Sequence, residues 1–402
     1  MKTLQDRGMK ISYWLNLIRY IAINIVETLL RLFPFPCKTG LITIGNPNRN
    51  SPVILTCNYH LTVERVKRAL AETDAYLLIA NSKGINVWCA ATGGLFTNHD
   101  VISVLKTSGV EERVDHRNVI LPQLAATGVE STIINKKAGW RVIWGPVYAK
   151  DILSFINNAC KKTPKMRIVE FPLMQRIEMA VAWAFPVSIV ATLIMFFFWN
   201  EAIFPLIFLV WALSFSIFIS FPAYSQWLPS HGKRVGIIFF DFGRGGFQLI
   251  LWGILICGLF AYSVFLRDFT WTFFFRWCVV SLIVVLLLSI DLMGSTPVYK
   301  SGLHDDRLLK VLLDEKKCKG AGFCEQVCPR NCYAVDSDRR VATIKRADWC
   351  VQCGACIVQC PFDALYFKHP EGKIIPPQTI RKFKLNLMGK RLLPRERGDK
   401  IA

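Results

Sequence analysis

Eight of the fourteen cysteines in this 402-residue chain lie within residues 318–360. Seven of them, all but Cys332, fall into one complete and one incomplete run of the spacing C-x2-C-x2-C-x3-C-P, which is the ligand pattern of bacterial two-cluster ferredoxins. Structural zinc is the alternative for closely spaced cysteines, but it does not account for two tandem Cys-Pro endings. The pattern therefore predicts an α+β iron–sulfur domain that transfers single electrons. The complete run consists of Cys350, Cys353, Cys356 and Cys360, followed by Pro361, and the incomplete run consists of Cys318, Cys324 and Cys328, followed by Pro329, with Ala321 at the position of the missing cysteine.

The fourth cysteine of each run binds the other cluster in this architecture. We therefore expect one complete four-iron site, in which Cys328 joins the first three cysteines of the second run. The other site would use Cys318, Cys324 and Cys360, and it lacks a ligand at Ala321. Three alternatives are open for this second site. It holds a three-iron cluster, it recruits Cys332 as a fourth ligand, or it holds a labile four-iron cluster with an exposed iron.

The other six cysteines are scattered singly, which indicates a reducing compartment rather than a disulfide framework. One of them, Cys89, lies in the stretch GINVWCAATG, residues 84–93, without a second metal ligand at a suitable spacing. A single thiolate can bind a metal whose other positions are already filled, as in the cobalt of a corrinoid ring. The alternative is a small cysteine in the core. The remaining isolated candidates, most simply explained as incidental thiols and surface or core histidines, are Cys37, Cys57, Cys160, Cys257, Cys278, His60, His99 and His116.

Residues 51 to 160 alternate short apolar segments with helical patterns. This rhythm predicts a doubly wound, Rossmann-like α/β domain over residues 46–162. The sequence Gly-x-Gly-x-x-Gly is absent, so there is no dinucleotide fingerprint. The predicted strands are Val53–Thr56, Ala75–Ala80, Asn118–Leu121 and Arg141–Trp144, and the predicted helices are Thr62–Glu72 and Val147–Asn157.

Residues 163–300 predict an α-helical transmembrane domain. The chain is 52% hydrophobic with a mean hydropathy of +0.34, which is too apolar for a wholly soluble protein of this size. Four segments have about the 20 apolar residues that a bilayer requires. Ionisable residues are almost absent from their centres, which favours an anchor over a transporter. The predicted spans are Ala180–Trp199, Ile203–Phe221, Phe247–Leu266 and Phe273–Ile290, while Val235–Phe240 is too short to span alone and leaves a fifth, broken helix open.

The net charge of +20 is concentrated beside these apolar segments and in the tail, which favours anionic lipids over nucleic acid as the partner. By the positive-inside rule, both flanking domains face the cytoplasm in a multi-pass protein of the cell membrane. Residues 1–45 predict an interfacial or packed helix without a secretory signal. The basic tail, residues 371–402, predicts a lipid contact or a docking site for a partner enzyme. The basic residues are Lys161, Lys162, Lys165 and Arg167 before the spans, Lys233, Arg234 and Arg244 between them, Lys300, Arg307 and Lys310 after them, and Arg381, Lys382, Lys384, Lys390, Arg391, Arg395 and Arg397 in the tail, whereas the opposite loops carry Glu201, Arg267 and Asp268.

The sequence from Asn86 to Ala91, NVWCAA, resembles the cap-helix motif of the corrinoid protein of microbial mercury methylation. A transmembrane block follows the corrinoid domain in that family too. Residues 301–368, within the predicted iron–sulfur domain of residues 301–370, resemble the family's separate dicluster ferredoxin partner, fused here in frame. Further segments that resemble the family are Thr56–Thr62, Lys83–Ile85, Val119–Leu124, Gly128-Val129 and Gly139–Pro146.

This resemblance implies a corrinoid-dependent methyltransferase with Cys89 as cobalt ligand. It implies that Asn86 and Trp88 shape the cap and that Thr56 and Asn58 contact the corrin. The fused ferredoxin, supplied by a low-potential electron donor, would return Co(II) to Co(I), which collects a methyl group from a folate- or pterin-type system or a methyl-donor protein.

The chain also departs from the family's pattern. It has Thr92-Gly93 where the motif continues Gly-Lys, and it lacks cysteines at its carboxyl terminus. Both differences leave the methyl acceptor open, with Hg(II) one candidate. Two other functions remain: a quinone-linked, membrane-bound iron–sulfur electron-transfer protein, and a corrinoid iron–sulfur protein of one-carbon metabolism. The first of these would not need the α/β domain.

Overall fold

The computed structural model describes residues 2–31, 33–227, 247–265, 270–298 and 309–382. The chain divides into two compact units, of which one comprises residues 1–33 and 170–303 and the other comprises residues 34–169 and 304–402. Several predicted features lie outside the described residues: Val235–Phe240, Lys233, Arg234, Arg244, Arg267, Asp268, Lys300, Arg307, Lys384, Lys390, Arg391, Arg395 and Arg397.

The chain begins with helix α1 (Lys2–Leu29), and an α/β domain follows from Pro34 to Val169. The strands of this domain are β1 (Gly40–Ile44), β2 (Val53–Cys57), β3 (Ala75–Ala80), β4 (Asn118–Leu121) and β5 (Arg141–Trp144). Its helices are α2 (His60–Ala69), α3 (Val87–Gly93), α4 (Asn98–Thr107), α5 (Ser131–Ala138), α6 (Ile152–Asn157) and α7 (Pro164–Arg167).

The five strands form one sheet in the order β1-β3-β2-β4-β5. Strands β2 to β5 are parallel, whereas β1 runs antiparallel to β3 at the edge. Every residue of β2 and β3 is buried, as expected for apolar runs covered on both faces. Strand β3 lies on one side of β2 and β4 on the other, so the strand order reverses at β2. This is the switch point where open α/β sheets bind ligands beyond the carboxyl ends of their strands.

The four predicted strands are all present, and β1 is an additional one. Because β1 precedes residue 46, the domain begins earlier than the predicted boundary. Strand β1 is short and mostly half-buried, as is common for a strand at the edge of a sheet. Its sequence, GLITI, therefore shows no clear alternation of apolar and polar residues from which a strand could be predicted. The predicted helix Val147–Asn157 is instead a 3₁₀ turn at Ala149–Asp151 followed by α6.

In the residues that the structure describes, the unit that contains α1 has five more α-helices. Helix α9 packs a regular row of apolar residues against α8 and α12, and α1 also contacts α8. The row consists of Leu206, Val210, Leu213 and Ile217, at the spacing of one helix face. The helices are α8 (Leu173–Phe198), α9 (Ile203–Ile219), α10 (Phe221–Tyr224), α11 (Phe247–Phe265) and α12 (Trp271–Ser295).

Two helical segments in the described residues are long and apolar enough to cross a membrane. They are Leu173–Phe198 and Asn200–Ile219, with mean hydropathies of 2.2 and 2.5. Trp252–Phe265 and Trp271–Val285 are apolar but shorter. Each of the four predicted spans therefore coincides with a helix, and two of them meet the criterion of length and composition.

The second unit is completed by an α+β domain over residues 309–382. Helices α13 and α14 follow Gly322 and Gly354, which take φ angles of 77° and 80° at matching positions of the two cysteine runs. The two runs therefore fold in the same way. The strands are β6 (Lys310–Leu313), β7 (Tyr333–Asp336), β8 (Val341–Ile344), β9 (Leu365–Lys368) and β10 (Ile374–Ile375), and the helices are α13 (Phe323–Val327), α14 (Ala355–Gln359) and α15 (Pro377–Lys382).

The predicted basic tail does not begin at residue 371, because β10 and α15 belong to the folded domain. Strand β10 pairs with β9, and α15 packs on α14. Arg381 in α15 pairs with Asp363 at 2.6 Å and donates a hydrogen bond to the carbonyl oxygen of Cys360 at 2.8 Å. Arg381 therefore stabilises the domain and is not a surplus cation for lipid headgroups.

Candidate functional site

The eight clustered cysteines line two separate cavities of the ferredoxin domain. Cys318, Cys324 and Cys360 line one cavity together with Ala321. The other cavity is lined by Cys328, Cys332, Cys350, Cys353 and Cys356. Cys328 and Cys360 thus each lie with the opposite run, as the crossed arrangement of two clusters requires.

The cysteines of each group line a cavity and do not converge on the position of one metal ion. In the part of the chain that the structure describes, no three Cys, His, Asp or Glu side chains are grouped closely enough to hold one metal ion. A zinc ion requires ligands at about 2.3 Å from one centre. The arrangement therefore fits multi-iron clusters and does not favour the zinc alternative.

Cys332 does not lie at the incomplete site. It shares a cavity with Cys328 and Cys350, and its backbone N–H donates to the Cys328 sulfur at 3.2 Å. Hydrogen bonding from the Cys332 thiol, aided by nearby backbone N–H groups, lowers the pKa of Cys328 to about 7, while the pKa of Cys332 is raised. Recruitment of Cys332 as the fourth ligand beside Ala321 is therefore wrong. A three-iron cluster and a four-iron cluster with an exposed iron remain.

Further hydrogen bonds reach the cluster sulfurs. The Tyr333 hydroxyl donates to the Cys356 sulfur at 3.1 Å. The backbone N–H groups of Ala342 and Gln352 donate to Cys318 and Cys350, both at 3.4 Å. Hydrogen bonds to sulfur stabilise the reduced cluster and so tune its potential. The fold therefore places donors at both cavities.

Cys89 lies exposed on α3, so it is not a core cysteine. The Asn86 side chain caps this helix by accepting a hydrogen bond from the Cys89 N–H at 3.0 Å. Ala90 and Ala91 are fully buried, and Trp88 is half-buried. The helix thus packs through small residues and presents the thiol on its outward face.

Three buried polar atoms in and near this region have no hydrogen-bond partner among the described residues. They are Thr56 Oγ1, Thr92 Oγ1 and Trp144 Nε1. Thr56 and Trp144 lie at the carboxyl ends of β2 and β5, and Thr92 lies on α3. An unpaired buried polar group costs about 1–3 kcal/mol. A polar ligand beyond the carboxyl edge of the sheet would pair them, which fits the amide-bearing rim of a corrinoid.

Asn58, a predicted corrin contact, makes four hydrogen bonds within the α/β domain. Its Oδ1 accepts from the N–H groups of Ser82 at 2.8 Å and Gly84 at 3.1 Å, and from the Ser82 hydroxyl at 3.0 Å. Its Nδ2 donates to the carbonyl oxygen of Cys37 at 3.3 Å. Asn58 therefore positions the loop that leads into α3.

Two glycines allow the close packing on either side of α3. Gly84 has a φ of 70°, and an added Cβ would lie 2.5 Å from the backbone nitrogen of Pro36. An added Cβ at Gly128, just after the 3₁₀ turn Gln123–Thr127, would lie 2.6 Å from the carbonyl oxygen of Ala91. Sequence reasoning identified both glycines only through the family resemblance, because their neighbours are distant in the chain.

Two of the predicted membrane-flanking cations are used inside the second unit. Lys162 Nζ donates to Gln123 Oε1 at 2.7 Å and to the carbonyl oxygen of Gln326 at 2.8 Å. Burial, together with the charge of Arg167, lowers the pKa of Lys162 to about 7. Arg167 pairs with Glu325 at 3.0 Å. These side chains join the α/β and ferredoxin domains instead of facing lipid headgroups.

Four of the other isolated cysteines and histidines lie in the α/β domain. Cys57 is buried in β2, and desolvation raises its pKa. A ring nitrogen of His116 lies 3.0 Å from the carbonyl oxygen of Ser51. Cys160 is half-buried, and His99 is exposed at the start of α4.

Comparison with known proteins matches both domains of the second unit. Residues 32–156 match the family model described as CO dehydrogenase/acetyl-CoA synthase delta subunit, and residues 344–366 match a 4Fe-4S binding domain. The acetyl-CoA decarbonylase/synthase complex subunit gamma of Methanothermobacter thermautotrophicus is 37% identical over 127 residues, 31% of this chain and 27% of the relative. The corrinoid/iron–sulfur protein large subunit of Moorella thermoacetica is 32% identical over 124 residues, 30% of this chain and 27% of the relative.

This chain therefore spans about a quarter of the length of these curated relatives. The matched region coincides with the α/β domain that carries Cys89, and the 4Fe-4S match covers the complete cysteine run up to β9. The chain thus joins an α/β domain similar to a corrinoid/iron–sulfur protein subunit to a carboxyl-terminal 4Fe-4S ferredoxin domain.

Replacing Gly84 by Ala should destabilise the α/β domain more than the matched change at Gly139. Both glycines have left-handed backbones, with φ of 70° and 73°, but the space around Gly139 is open. Both variants should lose about 1 kcal/mol through backbone strain, and Gly84→Ala about 1–3 kcal/mol more through overpacking against Pro36. Thermal unfolding of the full-length protein measures the difference. Equal shifts for both variants would show that the approach to Pro36 is not constraining.

Replacing Cys332 by Ala should leave the iron content unchanged, because Cys332 is a fifth cysteine in a cavity that already supplies four ligands. The matched variant Cys353→Ala should lose one cluster, about four iron atoms per chain. Iron analysis and EPR of the reduced full-length protein distinguish the two outcomes. Loss of a cluster in Cys332→Ala would mean that Cys332 is a ligand after all.

Proposed function

We propose that this chain is a membrane-anchored corrinoid methyltransferase whose fused ferredoxin domain supplies the electrons that keep the corrinoid active. The observation that carries the proposal is the exposed Cys89 thiol on a capped helix, in a domain similar to a corrinoid/iron–sulfur protein subunit. The unpaired polar atoms at the carboxyl edge of the sheet support it.

The residues of the α/β domain would divide the work of holding a corrinoid. The Cys89 thiolate would donate to the cobalt, and Asn86 would hold the first turn of α3 so that this thiol faces outward. Trp88 would shape the cap, and Thr56 would pair with a polar group of the ring. When bound, a corrinoid supplies a cobalt that takes up and passes on a methyl group, while the protein supplies its orientation and electronic tuning.

Two kinds of methyl acceptor have support. Similarity to subunits of acetyl-CoA decarbonylase/synthase complexes supports a role in one-carbon metabolism. The NVWCAA motif supports Hg(II) as an acceptor. The methyl group would come from a folate- or pterin-type system or a methyl-donor protein, and the electrons from a low-potential donor. Assays of the purified, methylated protein with Hg(II) and with acceptors of one-carbon metabolism separate these acceptors.

The helical unit would anchor both soluble domains at the cytoplasmic face of the cell membrane. Its support is the length and apolar composition of Leu173–Phe198 and Asn200–Ile219. The outward faces of these helices are also apolar, with Phe197, Phe204 and Phe208 between 75% and 83% exposed. An apolar surface of this kind is stable in contact with lipid tails and not in contact with water.

Cobalt analysis of the full-length protein tests the corrinoid proposal. We expect about one cobalt and about seven or eight iron atoms per chain. X-ray absorption at the cobalt edge should show a sulfur ligand that disappears in Cys89→Ala, while the cobalt content persists through the remaining ring contacts. Cys160→Ala, which removes a half-buried thiol of the same domain, is the control. An unchanged cobalt spectrum in Cys89→Ala would refute the ligand assignment, and absence of cobalt binding would refute the proposed function.

Membrane anchoring predicts that the chain sediments with membranes and stays there after extraction with alkaline carbonate, because apolar helices are not released when ionic contacts are broken. Detergent should then release it. Removal of residues 383–402, which carry several basic residues of the tail, should not change the result. Release of the full-length chain by carbonate alone would show peripheral attachment.

A further inference from the structure

The α/β and ferredoxin domains, which belong to one compact unit, meet at the side chain of Gln359. This residue ends α14 and is 3% exposed. Its Nε2 donates to the carbonyl oxygens of Ala126 at 2.9 Å and Val129 at 2.6 Å. Its Oε1 accepts from the N–H of Ser131 at 3.2 Å and from the Ser131 hydroxyl at 3.0 Å. All four hydrogen bonds join the two domains.

A carboxamide has two N–H donors and two acceptor sites, so the α/β domain uses the full capacity of Gln359. No other side chain of this size presents the same set. A glutamate lacks both donors, and an apolar residue would leave two buried carbonyl oxygens and one partly buried N–H without this partner. Leaving such groups unpaired costs about 1–3 kcal/mol each. The contact is therefore specific for glutamine.

Gln359 lies between the two cluster cavities and close to the segment that packs on α3, the helix that carries Cys89 and is called the cap helix below. It follows Cys356, which lines one cavity, and it immediately precedes Cys360, which lines the other. The carbonyl groups that it binds belong to the segment around the 3₁₀ turn Gln123–Thr127. This turn contacts α3, and Gly128 packs directly on Ala91 of that helix.

Arg381 reinforces the same contact. It donates to the carbonyl oxygen of Cys360 and lies 3.6 Å from the Glu130 carboxylate. The Glu130 backbone N–H in turn donates to Asn98 Oδ1 at 2.6 Å, at the start of α4. The contact between α14 and the α/β domain is thus supported on both sides of Gln359.

We propose that Gln359 is a positioning residue that locks the ferredoxin domain onto the segment supporting the cap helix, so that the clusters work from a fixed position and not from a mobile, tethered domain. This inference deepens the proposed function and rests on it for its purpose. The path from either cluster cavity to α3 then runs through packed protein, from α14 through the 3₁₀ turn.

Hydrogen exchange of the full-length, cluster-loaded protein tests the proposal. Gln359→Glu keeps the side chain's shape and its acceptor bonds to Ser131, but it places a carboxylate oxygen against two carbonyl oxygens. At pH 8 we expect exchange of amides in residues 124–131 to accelerate about tenfold relative to wild type, because this segment opens when the contact is lost. Amides of β2 and β3 should be unchanged.

Gln326→Glu is the matched control, because it makes the same change at an exposed glutamine on α13. Ser131→Ala, in the other domain, should accelerate exchange about threefold by removing one of the four bonds, and it does not touch the cluster domain's own sequence. Wild-type exchange in both Gln359→Glu and Ser131→Ala would overturn the proposal. Equal acceleration of the amides of β2 and β3 in Gln359→Glu would also overturn it, since a general folding defect opens the whole domain. Hydrogen exchange requires no corrinoid, so this result is independent of the cobalt analysis.

Discussion

Buried backbone groups must find hydrogen-bond partners, and around α3 they find them in carboxamide side chains. The segments on both sides of α3 are irregular, so neither helix nor sheet can satisfy their N–H and C=O groups. Asn58 takes two N–H groups of the preceding loop, Asn86 takes the N–H of Cys89, and Gln359 takes two carbonyl groups of the supporting turn. The position of the Cys89 thiol depends on this set of contacts.

Small residues let the backbone segments around α3 approach one another closely enough for those contacts to form. Gly84 lets the loop approach Pro36, and Gly128 lets the 3₁₀ turn lie directly on the backbone of α3. Ala90 and Ala91 fill the interface between them without pushing the helix outward. A short helix packed in this way exposes Cys89 while keeping its backbone rigid, which suits a metal ligand better than a loop would.

The net charge of +20 indicates an anionic partner, but some of the basic side chains make contacts within the protein. Lys162 and Arg167 join the two domains of the second unit, and Arg381 stabilises the end of α14. Part of the basic excess therefore serves contacts within the protein. The same burial, with the charge of Arg167, lowers the pKa of Lys162, and the neutral amine can still donate to the amide oxygen of Gln123 and the carbonyl oxygen of Gln326.

The sequence by itself determined the features that depend on local spacing. The two cysteine runs predicted the two cavities, because each run folds around its own turn and helix. The apolar runs predicted β2 to β5, because a strand that is buried on both faces must be apolar throughout. The helices α8, α9, α11 and α12 were predictable for a similar reason, because the apolar composition extends over most of each helix.

Only the tertiary structure decided the features that depend on residues distant in the chain. It added β1 at the sheet edge, placed Cys332 in the cavity with four other cysteines, and gave Asn58 to the loop before α3. It also joined Gln359 to a turn more than 200 residues earlier, with no sequence pattern to indicate it. A hydrogen bond between distant segments is set by how the domains pack, and spacing along the chain carries no record of that packing.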